Sequence, residues 1–558
     1  MEDDRAAVLH RAMRAAGFKR DRSVVQQHRF IGKLQAAGRT LSVAITFADA
    51  EFLQLPNLHV VPPTDLGDAV AHVEEEGKVC YAQSGLLVLD RYDVAGSVAI
   101  CLELARRGLE RIVSHRNIIG EVEAEFPQHW WGDIVYVDLR QNSSQAAALY
   151  KIPASGGALR VLLADSDSAL KPFALNESDL REVKQTARKA KIVRCRSLLT
   201  FKRGQRQPNT LAELVQWGDA VEPGLGEGLL SAAADLHRAD QPVLCIRGAN
   251  GTVGAILEIP VDLKIAATRP QAFAKFLRRD AARISLTRLS GIRVDPEFIV
   301  TRNLNGGRGL AGKRIVVVGC GTIGGHLAKF LAHSGGGYDG GSLTLIDNQL
   351  LAPGNIGRHL LGVMHVGQNK AEACREELLR LFPDSTILPI TGDAVRMLGH
   401  LSGADLVIDA TGEEALSATL NDTFVKARVS GRSAPCAIHI WLFGNGAAAQ
   451  GILTGTVDTA CYKCLRPNLR EPWRFDPILH KQQLIVAPAA CGEAPFLPYS
   501  IAAPAMAAAL AAQMAMDWAS GRPRPTLRTI RIDHAVTRQI KDQSPHRSER
   551  CPACALHS

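Results

Sequence analysis

The fold-deciding stretch is KRIVVVGCGTIGGHLAKFLAH, residues 313–333. An apolar run typical of a buried strand leads into a GxGxxG loop at Gly319, Gly321 and Gly324, and an apolar helical pattern follows. Glycines permit a tight turn and close approach of phosphate, while the free N–H groups of a helix N-terminus attract an anion. The stretch therefore predicts a parallel α/β sheet with a nucleotide at its edge.

The residues after this loop indicate which nucleotide is bound. A second strand, SLTLID, ends at Asp347, where a carboxylate can accept a ribose hydroxyl in either an NAD or an ATP site. Asn355, Arg358 and Lys370 then bring an amide and two cations to the same region. Preorganised cations stabilise the charge that develops on a departing pyrophosphate, so this set favours ATP chemistry.

Two cysteine pairs predict a structural metal site. CYKC supplies Cys461 and Cys464, and CPAC supplies Cys551 and Cys554. The N-terminus opens with acidic residues and has no apolar signal segment, so we expect a cytoplasmic protein whose thiols stay reduced. Four thiolates in two CxxC pairs suit tetrahedral Zn²⁺ with no position left open for catalysis.

Composition bounds the remaining possibilities. The chain has 558 residues, 46% of them hydrophobic and 22% charged, which excludes a disordered or collagen-like protein and predicts no membrane domain. Its net charge of +9 comes from scattered basic residues that form no nucleic-acid tract. We expect an α/β multidomain protein with an α+β domain over 1–120, an α+β linker over 121–302 and a Rossmann-like domain over 303–558.

Three shorter segments also carry local predictions. VLCIRG and AILEIPV are typical of two strands of a hairpin, and LREVKQTARKAKI, residues 180–192, is typical of a charged helix. The Ala-rich stretch of sixteen residues from Ile501 is too short for a membrane span and predicts a buried helix.

The third domain resembles the adenylation domain of ubiquitin-activating enzymes and of the ThiF and MoeB family. The resemblance implies a homodimer, a structural zinc clamp, and ATP with Mg²⁺ held by Gly319, Gly321, Gly324, Asp347, Asn355, Arg358 and Lys370. The segment ADLVIDATGEE resembles the family's Asp-x-Thr-Asp, with Asp409 as the first acid. Gly412 stands where the family has the second, so Asp409, Glu413 or Glu414 would have to hold Mg²⁺.

Two further cysteines are given roles by resemblance. Cys491, in APAACGEAPF, resembles the cysteine that accepts the activated acyl group in this family. Residues 41–101 resemble the ubiquitin-conjugating fold, which makes Cys80 in GKVC the conjugating cysteine. The usual His-Pro-Asn is absent there, and only His72 stands upstream.

This domain order resembles bacterial fusions found in CBASS anti-phage operons. The resemblance implies adenylation of a protein's C-terminal carboxylate, transfer to Cys491 and then Cys80, and ligation to an amine. The expected partner is a cGAS/DncV-like nucleotidyltransferase or a ubiquitin-like protein. Alternatives are a sulfur-carrier adenylyltransferase of the ThiF and MoeB type, an NAD-dependent oxidoreductase and a non-enzymatic zinc-stabilised scaffold.

Overall fold

The computed structural model describes most of the chain. The described residues are 2–24, 27–66, 73, 77–82, 87–114, 120, 123–124, 126–140, 144–173, 175–202, 205–266, 270–304, 307–455, 459–479, 484–487 and 497–555. They form two compact units, one of residues 1–169 with 175–295 and one of residues 170–174 with 296–558. No helix in these ranges is long and apolar enough to cross a membrane.

The first unit begins with an antiparallel sheet packed on two helices. The strands follow one another in space in chain order, and α2 turns one apolar face, including Val98, Ala105 and Leu109, toward them. The elements are α1 (Glu2–Ala15), β1 (Lys19–Asp21), β2 (His28–Ala36), β3 (Arg39–Phe47), β4 (Asn57–Val60), a 3₁₀ turn (Pro63–Leu66), β5 (Lys78–Val79) and α2 (Val94–Ser114).

A closed barrel follows in the same unit, with strands in the order β10-β11-β12-β6-β8-β7-β9. Its strands are β6 (Asp133–Asp138), β7 (Ala146–Pro153), β8 (Leu159–Ala164), β9 (Arg188–Arg194), β10 (Val243–Gly248), β11 (Gly251–Glu258) and β12 (Ser285–Arg293). Its helices are α3 (Phe126–His129), α4 (Glu177–Gln185), α5 (Leu211–Val221), α6 (Leu225–Asp235), α7 (Val261–Ala266) and α8 (Pro270–Asp280). Short 3₁₀ turns span Ser155–Gly157, Asp167–Phe173 and Ala281–Arg283.

The hairpin expected from VLCIRG and AILEIPV is confirmed, since β10 and β11 pair antiparallel with Gly248 opposite Gly251. A single helix expected across residues 180–192 is wrong in its second half. There the chain leaves α4 at Thr186 and forms β9, in which Ala190 and Ile192 alternate into the barrel core. This segment forms a strand despite its helix propensity, because in a strand every second side chain points the same way and Ala190 and Ile192 can both be buried.

The second unit is a sheet in the order β15-β14-β13-β16-β17-β18-β19. Its strands are β13 (Arg314–Val318), β14 (Ser342–Asp347), β15 (Ile387–Thr391), β16 (Leu406–Asp409), β17 (Cys436–Phe443), β18 (Ala448–Thr454) and β19 (Leu527–Arg531). Its helices are α9 (Pro296–Arg302), α10 (Thr322–His333), α11 (Lys370–Leu381), α12 (Leu398–Ser402), α13 (Glu414–Val429) and α14 (Ala502–Ala519). Short 3₁₀ turns span Pro353–Arg358, Val363–His365 and Tyr462–Leu465.

Strands β13 to β17 are parallel, β18 pairs antiparallel with β17, and β19 pairs antiparallel with β18. The Ala-rich segment predicted to be a buried helix forms α14, whose small side chains pack into the main core of this unit. Because the strands are parallel, the carboxyl ends of β13, β14 and β16 meet at one edge of the sheet. That edge is where open α/β sheets bind ligands.

Candidate functional site

The glycine loop between β13 and α10 has the geometry of a phosphate cradle. Gly319 adopts φ of +86°, a conformation that favours glycine. A Cβ atom on Gly324 would lie 1.7 Å from the carbonyl oxygen of Gly319, so a side chain there would displace the loop. Space is open at Gly321, which precedes the first residue of α10. A phosphate can therefore approach the helix N-terminus without meeting a side chain.

Asp347 ties the loop to the end of β14. Its Oδ2 accepts a hydrogen bond from the backbone N–H of Cys320 at 2.7 Å, and its Oδ1 accepts one from Gln349 N–H at 2.8 Å. Each carboxylate oxygen has further lone pairs for a ribose hydroxyl, and the residue lines the cavity. Asp347 is therefore placed both to order the loop and to meet a nucleoside.

His359 supports the glycine loop from below, a role that sequence reasoning did not assign. Its Nδ1 accepts the backbone N–H of Leu361 at 3.1 Å, so the proton sits on Nε2, which donates to the carbonyl oxygen of Cys320 at 2.8 Å. Burial lowers the pKa of His359 to about 4. The neutral imidazole is thus part of the loop's support.

This depressed pKa predicts an acid-sensitive fold. An unfolded histidine has a pKa near 6.5, so between about pH 6.5 and about pH 4 the unfolded chain takes up a proton that folded His359 does not. As the pH is lowered through this range, the free energy of unfolding should fall by up to about 1.4 kcal/mol per pH unit because of this group. Above pH 6.5 this group should leave the free energy of unfolding unchanged. Urea unfolding at pH 7 and at pH 5 measures the difference. The His359→Gln variant should show a smaller difference, and an unchanged difference would contradict the assignment.

The predicted cations lie in one cavity of about 760 Å³ above the sheet edge. Lys370 begins α11, is only 6% exposed, and its Nζ donates to Gln349 Oε1 at 2.7 Å. Arg358 ends a short 3₁₀ turn with its guanidinium carbon 5.1 Å from the ring centroid of Tyr499. The cavity volume falls within the roughly 300–1,000 Å³ typical of ligand sites. The residues predicted for the nucleotide that line it are Gly319, Gly321, Asp347, Asn355, Arg358 and Lys370.

Asn355 and Gly324 act partly as scaffold. Asn355 Oδ1 accepts the backbone N–H of Ala352 at 3.1 Å and so closes the turn that carries Arg358. Gly324 does not line the cavity and instead lets α10 pack against the loop. Both residues stay in the predicted site, with roles that set its shape.

Two polar residues that sequence reasoning missed hold Lys370 in place. Gln349 accepts from the lysine ammonium, and Asn369 caps α11 through Oδ1 while its Nδ2 donates to the carbonyl oxygen of Asp347 at 3.0 Å. An Asn immediately before a helix is an N-cap signal that could have identified Asn369. Gln349 has no comparable signal, because only the fold brings it against Lys370.

Asp409 is buried beneath the cavity and does not line it. Its carboxylate accepts hydrogen bonds from Thr411 Oγ1 at 2.7 Å, Ser417 Oγ at 2.5 Å and His439 Nδ1 at 2.9 Å. Burial acts to raise its pKa, but the hydrogen bonds and charge of His439, with those of Ser417 and Thr411, bring the pKa below its usual range. The geometry makes Asp409 an anchor for the turn after β16 and the first turns of α13.

The two neighbouring acids differ in their surroundings. Glu414 pairs with Arg466 at 2.9 Å, whereas Glu413 lines the cavity. Between them and β16, Gly412 adopts φ of +69°, a left-handed conformation that glycine adopts without strain. Glu413 is therefore the acid that this turn presents to the cavity.

The four predicted zinc ligands form one buried cluster. Sulfur–sulfur distances are 3.7 Å for Cys461 with Cys464, 3.7 Å for Cys461 with Cys551 and 3.3 Å for Cys464 with Cys554. All four sulfurs lie within 4.8 Å of one another. Tetrahedral Zn–S bonds of about 2.3 Å place ligand sulfurs about 3.8 Å apart, so the cluster fits Zn²⁺.

This cluster also has donors around its ligands. Asn421 Nδ2 donates to Cys461 Sγ at 3.6 Å, and Ser548 N–H donates to Cys464 Sγ at 3.4 Å. Such hydrogen bonds orient thiolates and offset part of their charge. The ring of Tyr462, between two ligands, packs 4.8 Å from that of His439, so the cluster also supports the strand beside the cavity.

We expect freshly purified protein to hold one Zn²⁺ per chain in this cluster. Elemental analysis by mass spectrometry should find that ion in the wild type and almost none in Cys551→Ser, because three thiolates bind a structural zinc far more weakly than four. Cys436→Ser, which alters a half-buried cysteine outside the cluster, is the control and should keep its zinc. Metal retained in Cys551→Ser at wild-type level would remove the assignment.

Cys80 lies at the surface of the N-terminal domain, directly after β5. Val79 before it is buried, and Tyr81 after it donates its hydroxyl to the carbonyl oxygen of Pro56 at 2.8 Å. These two anchors hold the exposed thiol between them. Cys101 on α2 is buried, and burial raises its pKa to about 11, as expected of a core residue. Cys491 and His72 lie outside the described residues.

Comparison with known proteins matches these features to two families. Residues 302–553 match the ThiF family, and residues 5–134 match Prokaryotic E2 family B. The ATP-dependent ubiquitin transferase-like protein Cap2 of Pseudomonas aeruginosa is 31% identical over 528 residues, which cover 91% of this chain and 90% of that protein. This chain belongs to the Cap2 family.

Other proteins resemble this chain over different shares of its length. The Cap2 of Vibrio cholerae is 25% identical over 88% of this chain and 87% of its own length. The molybdopterin-synthase adenylyltransferase of Salmonella typhimurium is 29% identical, but over only 29% of this chain. A solved structure of E. coli MccB with ATP covers 53% of this chain and 82% of its own, with 21% identity and a TM-score of 0.35. The two family matches and the Cap2 relatives confirm the expected fusion of activating-like and conjugating-like domains.

Proposed function

We propose that this Cap2-family chain activates the C-terminal carboxylate of a partner protein with ATP and conjugates it to an amine. The observation that carries the proposal is the cavity at the edge of the sheet, where a phosphate loop, Asp347, Arg358 and Lys370 converge. The same chain bears an exposed cysteine, Cys80, in a domain of the prokaryotic E2 type. Neither an oxidoreductase nor a scaffold would need both this cavity and an exposed cysteine in an E2-type domain.

The first step is adenylation. The glycine loop binds phosphates, Asp347 binds the ribose, and the partner's carboxylate oxygen attacks the α-phosphorus as the bond to pyrophosphate breaks. Arg358 and Lys370 line this cavity, where they would stabilise the negative charge that grows on the leaving pyrophosphate. Because Lys370 is buried and already oriented by Gln349, it stabilises that charge without reorganisation.

Mg²⁺ would be held from the turn after β16. Glu413 lines the cavity, whereas Glu414 is paired with Arg466 and the oxygens of Asp409 accept side-chain hydrogen bonds. Carboxylate oxygens are the ligands that Mg²⁺ prefers, together with phosphate oxygens. The ion would supply charge neutralisation at the phosphates, and Asp409 would act by positioning the turn that bears Glu413.

The following steps move the acyl group between thiols. The thiolate of Cys491 attacks the acyl adenylate and releases AMP, and the thiolate of Cys80 then attacks that thioester and releases Cys491. An amine of the target finally attacks the carbonyl carbon and releases Cys80, which leaves an amide. A thioester keeps most of the acyl reactivity, so the energy of ATP survives both transfers.

The partner that we propose is a cGAS/DncV-like nucleotidyltransferase. We propose that the Cap2-family chain itself forms a homodimer through its adenylation domain and acts in the cytoplasm. Relatives named ATP-dependent ubiquitin transferase-like protein support a protein substrate. A sulfur-carrier adenylyltransferase is the second candidate, supported by the similarity of 29% of the chain to molybdopterin-synthase adenylyltransferase. The E2-type domain and the match to Cap2 over 91% of this chain favour conjugation.

The test is to mix the chain with each protein encoded beside it, ATP and Mg²⁺, and to follow pyrophosphate release and intact mass. Conjugation predicts release with one neighbour and a reductant-labile adduct of that neighbour on this chain. AMP formation without any protein adduct would favour the sulfur-carrier reading. No ATP consumption with any neighbour would contradict both functions.

A further inference from the structure

A second cavity, which the proposed function leaves unassigned, adjoins the nucleotide cavity. It has a volume of about 270 Å³ and lies between the start of α13 and the CxxC loop of Cys461 and Cys464. Its lining residues are Glu414, Ala415, Ala418, Tyr462, Lys463, Arg466 and Leu469. Ala415 lines the nucleotide cavity as well, so the two cavities meet at the first turn of α13.

The two cavities follow neighbouring faces of one helix. Leu416 and Thr419 line the nucleotide cavity, whereas Glu414 and Ala418 line the second. On the opposite side the walls are also joined, because Trp441 of the first cavity meets Tyr462 of the second edge to face, at 5.5 Å between ring centroids. A chain that leaves the nucleotide cavity across α13 therefore enters the second cavity.

The second cavity has room and apolar walls. Ala415 and Ala418 are one helical turn apart, and their small side chains leave space above α13. Tyr462 and Leu469 supply apolar surface on the other side. An extended peptide can lie between such walls with its backbone unobstructed.

The charge of this cavity is not balanced. Arg466 is used structurally, since it pairs with Glu414 and donates from Nε to the carbonyl oxygen of Glu471 at 3.0 Å. Lys463, between the two zinc ligands of its loop, has no hydrogen bond or ion pair from its ammonium group to any residue in the described ranges. The cavity thus presents one cation that a ligand carboxylate would complement.

We propose that the second cavity receives the segment just before the partner's C-terminus, and that an aspartate or glutamate in this segment pairs with Lys463. The inference rests on the proposed adenylation and deepens it, because it assigns the substrate class as proteins with an acidic, extended C-terminal tail. The C-terminal carboxylate lies in the nucleotide cavity, while the acidic side chain is bound one cavity away. Lys463 is then a specificity residue that never touches the reacting atoms.

The test uses synthetic peptides with the C-terminal segment of whichever neighbour supports pyrophosphate release, in the original form and with its acidic residues replaced by the amides. Replacing the acids should raise KM at least about tenfold and leave kcat within about twofold, because the contact is remote from the chemistry. Lys463→Glu should reproduce that effect on the original peptide. A peptide with lysine in place of the acid should recover affinity with Lys463→Glu.

Two controls separate the possible failures. Lys541→Glu makes the same charge change at an exposed lysine that lines neither cavity and should leave KM unchanged. Because Lys463 lies between zinc ligands, zinc content is measured in each variant. The second control is Ala418→Leu, an independent variant that fills the second cavity and should also raise KM.

Equal KM values for Lys463→Glu and Lys541→Glu, or a productive tail without any acidic residue, would overturn the inference while leaving adenylation intact. Failure of the wild type to release pyrophosphate with any neighbour would instead reject the proposed function.

Discussion

Lys370→Met should reduce pyrophosphate release at least about a hundredfold, a loss of about 3 kcal/mol of transition-state stabilisation. Lys370 is buried, its ammonium group is oriented by Gln349, and it lines the cavity in which we propose that pyrophosphate leaves. Methionine retains much of the length of the aliphatic chain and removes the charge. Pyrophosphate release in the presence of saturating partner and ATP measures the effect.

Lys329→Met is the matched control for this prediction. Lys329 lies on α10 and does not line the cavity, so its variant should keep wild-type activity. Both variants should unfold at the wild-type temperature, since methionine is compatible with helix and with burial. Wild-type pyrophosphate release by Lys370→Met would refute the assignment of this cavity to ATP.

Cys80→Ala should abolish conjugation and leave adenylation unchanged. The adduct of the partner should then accumulate on Cys491, because the thioester has no second thiol to receive it. Cys491→Ala should form the acyl adenylate and no thioester at all. Intact-mass spectrometry of the wild type and both variants, with and without reductant, distinguishes the acyl adenylate, the thioester on Cys491 and the thioester on Cys80. Pyrophosphate release reports the adenylation step separately.

The control for the cysteine variants is Cys101→Ala. Cys101 belongs to the same domain, but its thiol is buried and its pKa is raised to about 11, so it cannot serve as a nucleophile near neutral pH. Its variant should conjugate normally if it folds. Normal conjugation by Cys80→Ala would show that another group accepts the acyl chain and would remove Cys80 from the pathway.

Much of the geometry of the candidate site was predictable because its sequence signals are local. The glycine spacing fixes a strand, a turn and a helix N-terminus, and Gly319 and Gly324 occupy positions that larger residues cannot fill. The two CxxC pairs were equally informative, since the structure brings all four sulfurs into one cluster. These patterns carry their chemistry within a few residues.

Contacts distant in sequence could not be predicted in the same way. Nothing in the sequence near His359 or His439 indicates that one supports the glycine loop and the other binds Asp409, because both contacts depend on how the strands are ordered. The helix expected across residues 180–192 failed for a related reason. Local helix propensity was overridden by burial of Ala190 and Ile192 inside a barrel that no local pattern announces.

The closure of that barrel bears on how a conjugating enzyme treats unstructured tails. In a closed sheet every strand has a neighbour on both sides, so no row of unpaired backbone N–H and C=O groups is left at an edge. Extended peptides commonly bind by adding themselves as a strand to such an edge. The described strands of the barrel therefore offer a free C-terminal tail no open edge, so backbone pairing there would not compete with the cavity in which we propose that the tail reacts.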